Sequence, residues 1–129
     1  MAESRDTGMG GVFFQPEETD RLYDGYEKHL AIRRDPDGGV MFKWRHADEP
    51  DRTSANVWSP FPQFSPYFNP SRSPFMVNSR VHSLDNLLHA LEVEGVTVEE
   101  RRDDSDYGRF AWVMDPEGNR IELWEPPQE

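Results

Sequence analysis

The chain has no cysteine. It therefore carries no disulfide framework, no thiol nucleophile and no zinc-thiolate site, and nothing in its cysteine usage marks a redox compartment. It is short of basic residues, with 14 Lys and Arg against 25 Asp and Glu, and the formal charge of −11 opposes attraction to nucleic-acid phosphates or anionic lipid. Nucleic acid and membrane are not expected partners. No apolar run approaches the ~20 residues of a membrane-spanning helix, and residues 1–8 lack the basic-then-apolar order of a signal peptide. The expectation is a cytoplasmic protein. No P-loop, dinucleotide-binding fingerprint, Gly-x-Ser-x-Gly elbow or His-Glu-x-x-His motif occurs. Acids, abundant elsewhere, are missing from everything between Arg52 and Leu84.

What is present is most ordered near the end of the chain. Phe110 to Met114 and Arg120 to Trp124 are rich in β-branched and aromatic residues and flank Asp115-Pro116-Glu117-Gly118-Asn119, in which Pro fixes φ and Gly supplies a left-handed position. This predicts a β-hairpin. Alternation in the second arm sets Ile121 and Leu123 on one face and Arg120, Glu122 and Trp124 on the other. At 129 residues the chain is long enough for one domain with a real core.

Residues 1–9 are polar and aperiodic and predict a flexible N-terminal tail. Gly11 to Gln15 predicts a strand, and Glu17 to Leu30 a helix with Leu22, Tyr23, Tyr26 and Leu30 at helical spacing. Residues 35–39 form a turn, Val40 to His46 a strand, and Ala55 to Trp58 another. The pattern restarts at Phe75, with a strand to Val81, Ser83 as N-cap, a helix marked by Leu84, Leu87, Leu88 and Leu91 that Gly95 stops, a strand from Val96 to Arg101, and a polar turn over Asp103 to Asp106. Asp20 and Asp85, Leu22 and Leu87, and Glu27 and Glu92 match at an offset of 65 residues. A repeat of that length indicates two fused βαβββ modules. The first module is short of a clear fourth strand, whose place is taken by the proline-rich stretch Ser59 to Pro74.

The closing hairpin, the strand-then-helix pattern and the repeat together resemble the vicinal oxygen chelate superfamily, the glyoxalase, bleomycin-resistance and extradiol dioxygenase group. The resemblance covers about residues 10–126 as a single domain, module one about 10–74 and module two about 75–126. It implies an α+β fold in which the two modules form curled mixed sheets around a cleft. It also implies that Glu122 stands where the last metal ligand falls. The other ligand positions fall on Gly11, on Met76 and in the strand Thr53 to Pro60, none of which offers a ligand for a hard or borderline divalent ion. No metal or other cofactor is therefore expected. The alternative is a divalent zinc, iron, nickel or manganese ion held by Glu122 and His46, the one histidine kept as a possible ligand. His29 and His89 belong to helix surfaces, and His82 lies too far along its strand.

Glu122 is either a solvated or Arg-paired strand carboxylate or, inside an aromatic cleft, a general base of raised pKa. Phe13, Trp58, Asn78, Arg80, Trp112 and Trp124 are the candidate ligand-binding residues, with Gly11 beside them in the cleft. Arg80 as anchor implies a preference for anionic or neutral aromatic ligands over cationic ones. The acid-free stretch, with Trp58, Phe61, Phe64, Tyr67, Phe68 and Phe75, is either a cavity-lining loop or an aromatic-proline plug, and a homodimer contact is expected there. The functional expectation is a small-molecule-binding protein of the glyoxalase and bleomycin-resistance type with a degenerate metal site. The alternative is a metal-dependent or Glu-based lyase, isomerase or dioxygenase.

Overall fold

The computed structural model describes residues 5–36 and 38–127. Its elements are β1 (Asp6–Phe14), α1 (Thr19–Leu30), β2 (Val40–Arg45), β3 (Thr53–Pro60), a 3-10 turn (Pro66–Phe68), β4 (Phe75–Val81), α2 (Leu84–Val93), β5 (Val98–Ser105), β6 (Gly108–Met114) and β7 (Arg120–Glu125). The strands form one mixed sheet in the order β2-β3-β1-β4-β7-β6-β5. β1 pairs parallel with β3 and β4 parallel with β7, and every other pairing is antiparallel. The α+β architecture is as expected from the sequence.

The expected repeat is visible in this order. In the second half β4, α2, β5, β6 and β7 complete a βαβββ unit, with β7 returning beside β4. In the first half β3 returns beside β1 in the same way, so β2 and β3 answer to β6 and β7. The strand without a counterpart is therefore the outer one, equivalent to β5, and not the last. In its place in the sequence the chain passes from α1 to β2 with no strand between them, and the residues after β3, 61–74, are the connection between the halves.

The first strand also begins earlier than its apolar residues suggest. Asp6, Gly8 and Met9, expected in a loose tail, pair with Val81, Arg80 and Ser79 of β4. Ser79 Oγ donates to Asp6 Oδ2 at 2.6 Å and Thr7 Oγ1 to the Arg80 carbonyl at 3.2 Å, so polar side chains hold this end of the strand. Residues 1–4 of that tail lie outside the described residues. At the other end of the chain β5 runs on to Ser105, past the expected turn at Asp103, because Asp103, Asp104 and Ser105 pair with Phe110, Arg109 and Gly108.

Alternation along the strands separates two cores. Ala111, Val113 and Leu123 meet Leu84, Leu87 and Leu88 of α2 on one face. On the other face Phe13, Met76 and Trp112 pack with Phe68 from the 3-10 turn. Gly95, at φ 87°, ends α2 in the left-handed region, and Val96 N donates to the Leu91 carbonyl there. Strands lie ~4.8 Å apart, so β2 and β6, five spacings apart in the order, would stand roughly 24 Å apart in a flat sheet. Val40 and Met41 of β2 nevertheless share one cavity wall with Phe110 of β6. The sheet is curled, and the cavity is its concave side.

Candidate binding site

Four register partners cross the middle of the sheet: Val57 on β3, Gly11 on β1, Asn78 on β4 and Glu122 on β7. Glu122 is 1% exposed. Its Oε1 accepts hydrogen bonds from the Tyr67 hydroxyl and from Trp112 Nε1, the latter at 3.2 Å, and its Oε2 accepts one from Asn78 Nδ2 at 2.5 Å. Burial pushes the carboxyl above its ordinary value, and the three donors, with the Arg120 charge, pull partly the other way. The Tyr67 hydroxyl is held well above the usual phenol range, first by its own burial and then by the neighbouring carboxylate.

Tyr67 reaches Glu122 from the connection between the halves. Its ring stacks on Phe61 with centroids 5.1 Å apart, and its backbone carbonyl accepts from Arg120 Nη1. Arg120, 3% exposed, makes a bidentate pair with Glu99 of β5 at 2.7 and 3.0 Å and lies 4.7 Å from the Trp112 ring centroid. Gln15 Nε2 donates to the Ser65 carbonyl at 2.8 Å. These contacts make the acid-free stretch a fixed part of the site. Gly10 is needed beside it, since a methyl group there would overlap Asn78 Oδ1 and turn the amide away from Glu122.

Above this floor is a cavity of about 370 Å³. Phe13, Asn78, Glu122 and Trp124 are on its wall, with Val57, Tyr67 and Phe110. Three other residues picked from the sequence lie elsewhere. Trp58 is on the opposite face, 4.7 Å from Tyr26 and 5.8 Å from Tyr23 between ring centroids, because its position in β3 points it at α1. Trp112 has no exposed surface and sits edge-on beneath Tyr67, so it supports Glu122 without forming the wall. Arg80, 4% exposed, is held between the Trp44 and Trp124 rings at 5.2 and 5.1 Å and borders a second cavity of about 870 Å³. His46 lines that second cavity too, and not the one over Glu122. Tyr67 is a site residue that sequence reasoning did not single out, as are Asp35, Val57 and Phe110 on the wall. The signal for Tyr67 was the acid-free aromatic stretch itself.

A divalent metal does not fit the residues present. Of the four positions only Glu122 carries a metal-ligating carboxylate, and its oxygens already accept three side-chain hydrogen bonds. Asn78, not Met76, stands level with Glu122; Met76 is 2% exposed and packed against Phe13, Phe68 and Trp112. Among the described residues no three His, Asp or Glu gather in a group able to hold a metal.

No protein-family model matches the sequence, and no curated protein does. Solved structures do match. Methylmalonyl-CoA epimerase from Mycobacterium tuberculosis superposes with a TM-score of 0.63 at 21% identity, covering 99% of this chain and 93% of that one. The fold is that of the vicinal oxygen chelate superfamily. A Streptomyces coelicolor methylmalonyl-CoA epimerase in complex with 2-nitronate-propionyl-CoA gives 0.66 at 12% identity over 95% of this chain and 99% of that one. The Mn(II)-bound glyoxalase from Novosphingobium aromaticivorans gives 0.62 at 17% identity over 95% of this chain and 40% of that longer one. A vicinal oxygen chelate fold can thus hold a metal, but this chain's donor set at the cleft differs from what a metal needs.

Proposed function

We propose that this chain is a small-molecule-binding protein of the glyoxalase and bleomycin-resistance type, with a degenerate metal site and with the cavity over Glu122 as its binding site. The observation that carries this reading is the state of Glu122, a buried carboxylate that already accepts three hydrogen bonds, from Tyr67, Asn78 and Trp112. A concave, largely apolar cavity with a few convergent polar groups is the usual form of a small-molecule site. Phe13, Asn78 and Trp124 are the proposed ligand contacts. We place the protein in the cytoplasm as a homodimer; among the described residues no helix is long and apolar enough to cross a membrane.

A second reading has one observation in its favour. Burial raises the Glu122 carboxyl, which suits a general base acting beside a carbonyl without a metal, as in a lyase or isomerase. Screening a library of small aromatic compounds by quenching of Trp124 fluorescence separates the possibilities. The binding reading expects hits that Met41→Trp, at the exposed cavity rim, abolishes. The same hits converted to product by wild type and not by Glu122→Gln would establish the second reading instead.

A further inference from the structure

The wall of the cavity is unequal in its hydrogen-bonding capacity. Its side-chain donors are engaged within the protein: Tyr67 Oη and Asn78 Nδ2 donate to Glu122, and Trp124 Nε1 donates to the Tyr107 carbonyl at 2.7 Å. Its acceptors are in excess. Asn78 is 2% exposed, and its Oδ1, which has no hydrogen-bond partner, is buried against Gly10, where it adds negative potential to the wall without contacting a ligand. Glu122 Oε2 takes a single side-chain donor where a carboxylate oxygen accepts two. The Asp35 carboxylate borders the same cavity from the turn before β2, with no side chain paired to it among the described residues. Apart from the Tyr107 hydroxyl at the rim, the polar side-chain groups left for a ligand are acceptors.

Charge points the same way. Among the described residues no Lys, Arg or His is on this wall. The nearest cations lie behind aromatic rings: Arg120 behind Tyr67 and Trp112, where Glu99 neutralises it, Arg101 over the Trp112 ring, where Asp103 pairs with it, and Arg80 across the Trp124 ring in the second cavity. Two carboxylates and the rings of Phe13, Tyr67, Tyr107, Phe110 and Trp124 remain. Aromatic faces attract cations through their quadrupoles, and a desolvated pairing is stronger than an exposed one. The −11 charge of the whole chain adds a long-range attraction for positive solutes.

We infer that the ligand of this cavity is a small aromatic or aliphatic molecule bearing a protonated amine, which donates to Glu122 Oε2 and Asp35 while its apolar part lies against Phe13, Phe110 and Trp124. This reverses the preference for anions expected from the sequence, because Arg80 does not face the cavity. The inference rests on the binding reading above and goes further by fixing the charge class of the ligand.

Three probes of one shape test it: phenethylammonium, neutral 3-phenylpropanamide and anionic 3-phenylpropionate, titrated against the full chain by calorimetry near neutral pH. The expected order of affinity is cation, amide, anion, with the cation at least about tenfold tighter than the anion. Asp35→Asn, in a surface turn where folding is not at risk, should weaken the cation several-fold and leave the amide nearly unchanged. Glu122→Gln should bring the cation close to the amide. Propionate binding as tightly as phenethylammonium would overturn the charge assignment while leaving the cavity a binding site. No probe binding at about 10 mM, the weak end of specific recognition, would overturn both. Manganese(II) displacing phenethylammonium in competition would assign the acceptors to a metal ion and overturn the inference as well.

Discussion

Asn78 and Glu122 are register partners on the parallel strands β4 and β7, and the Asn78 amide donates to Glu122 Oε2 at 2.5 Å. The contact joins the first strand of the second half to its last strand at the centre of the cleft. An amide in that place supplies a donor where a metal site would need a ligand.

Tyr67→Phe removes one donor from a buried carboxylate and keeps the ring packing on Phe61. The expected loss is about 1–3 kcal/mol at neutral pH, the cost of an acceptor left unsatisfied. In acid, where Glu122 is protonated, the loss should shrink. Urea unfolding of wild type and variant at the two pH values measures it, and an equal loss at both would separate Tyr67 from the charge of Glu122.

The raised pKa of Glu122 carries a sign for stability. The folded state holds this proton more tightly than the unfolded chain does, so the contribution is fully present below the unfolded value of about 4.3 and is lost as pH rises through the folded value. Wild type should therefore lose stability relative to Glu122→Gln as pH increases across that window. A difference in unfolding free energy that stays flat, or rises, across the window would show that burial does not dominate the carboxyl.

Gly10→Ala places a methyl group on Asn78 Oδ1 and against the Trp124 ring. Overpacking of this kind costs about 1–3 kcal/mol, read as a lowered urea midpoint. Gly25→Ala, where nothing lies within 4 Å of the added carbon, should instead be neutral or slightly stabilising. Equal effects of the two substitutions would remove the packing argument.

Much of this fold was legible because its signals are local. The closing hairpin, the stripe Leu84, Leu87 and Leu88 on α2, and the placement of Ile121 and Leu123 opposite Glu122 and Trp124 follow from periodicity alone. Strand register is not local. The helices repeat at an offset of 65 residues, but the link from strand to helix is four residues in the first half, 15–18, and two in the second, 82–83, so strand ends repeat at 67. Aligning on the helices therefore put Met76 where Asn78 stands, two residues away on the same face. The role of Tyr67 was hidden for a related reason. Its position depends on Arg120, Phe61 and Gln15 holding an irregular segment, and no periodicity encodes that.

A homodimer remains the expected assembly. Phe64 and Phe75, at 87% and 55% exposure, come from the segment Trp58 to Phe75 proposed for the contact, and exposed side chains of this size favour a covered surface. Sedimentation at micromolar concentration should give about twice the 15.0 kDa chain mass. A single species at the chain mass would remove the dimer.

The central claim is that Glu122 is a hydrogen-bonded carboxylate at the floor of a ligand cavity and holds no metal. Elemental analysis of the full chain, produced with zinc, iron, nickel and manganese supplied and then dialysed, tests it most directly. Less than about a tenth of an equivalent of any divalent metal per chain is predicted, since a stable catalytic site ordinarily takes three protein ligands. Close to one equivalent per chain would contradict it.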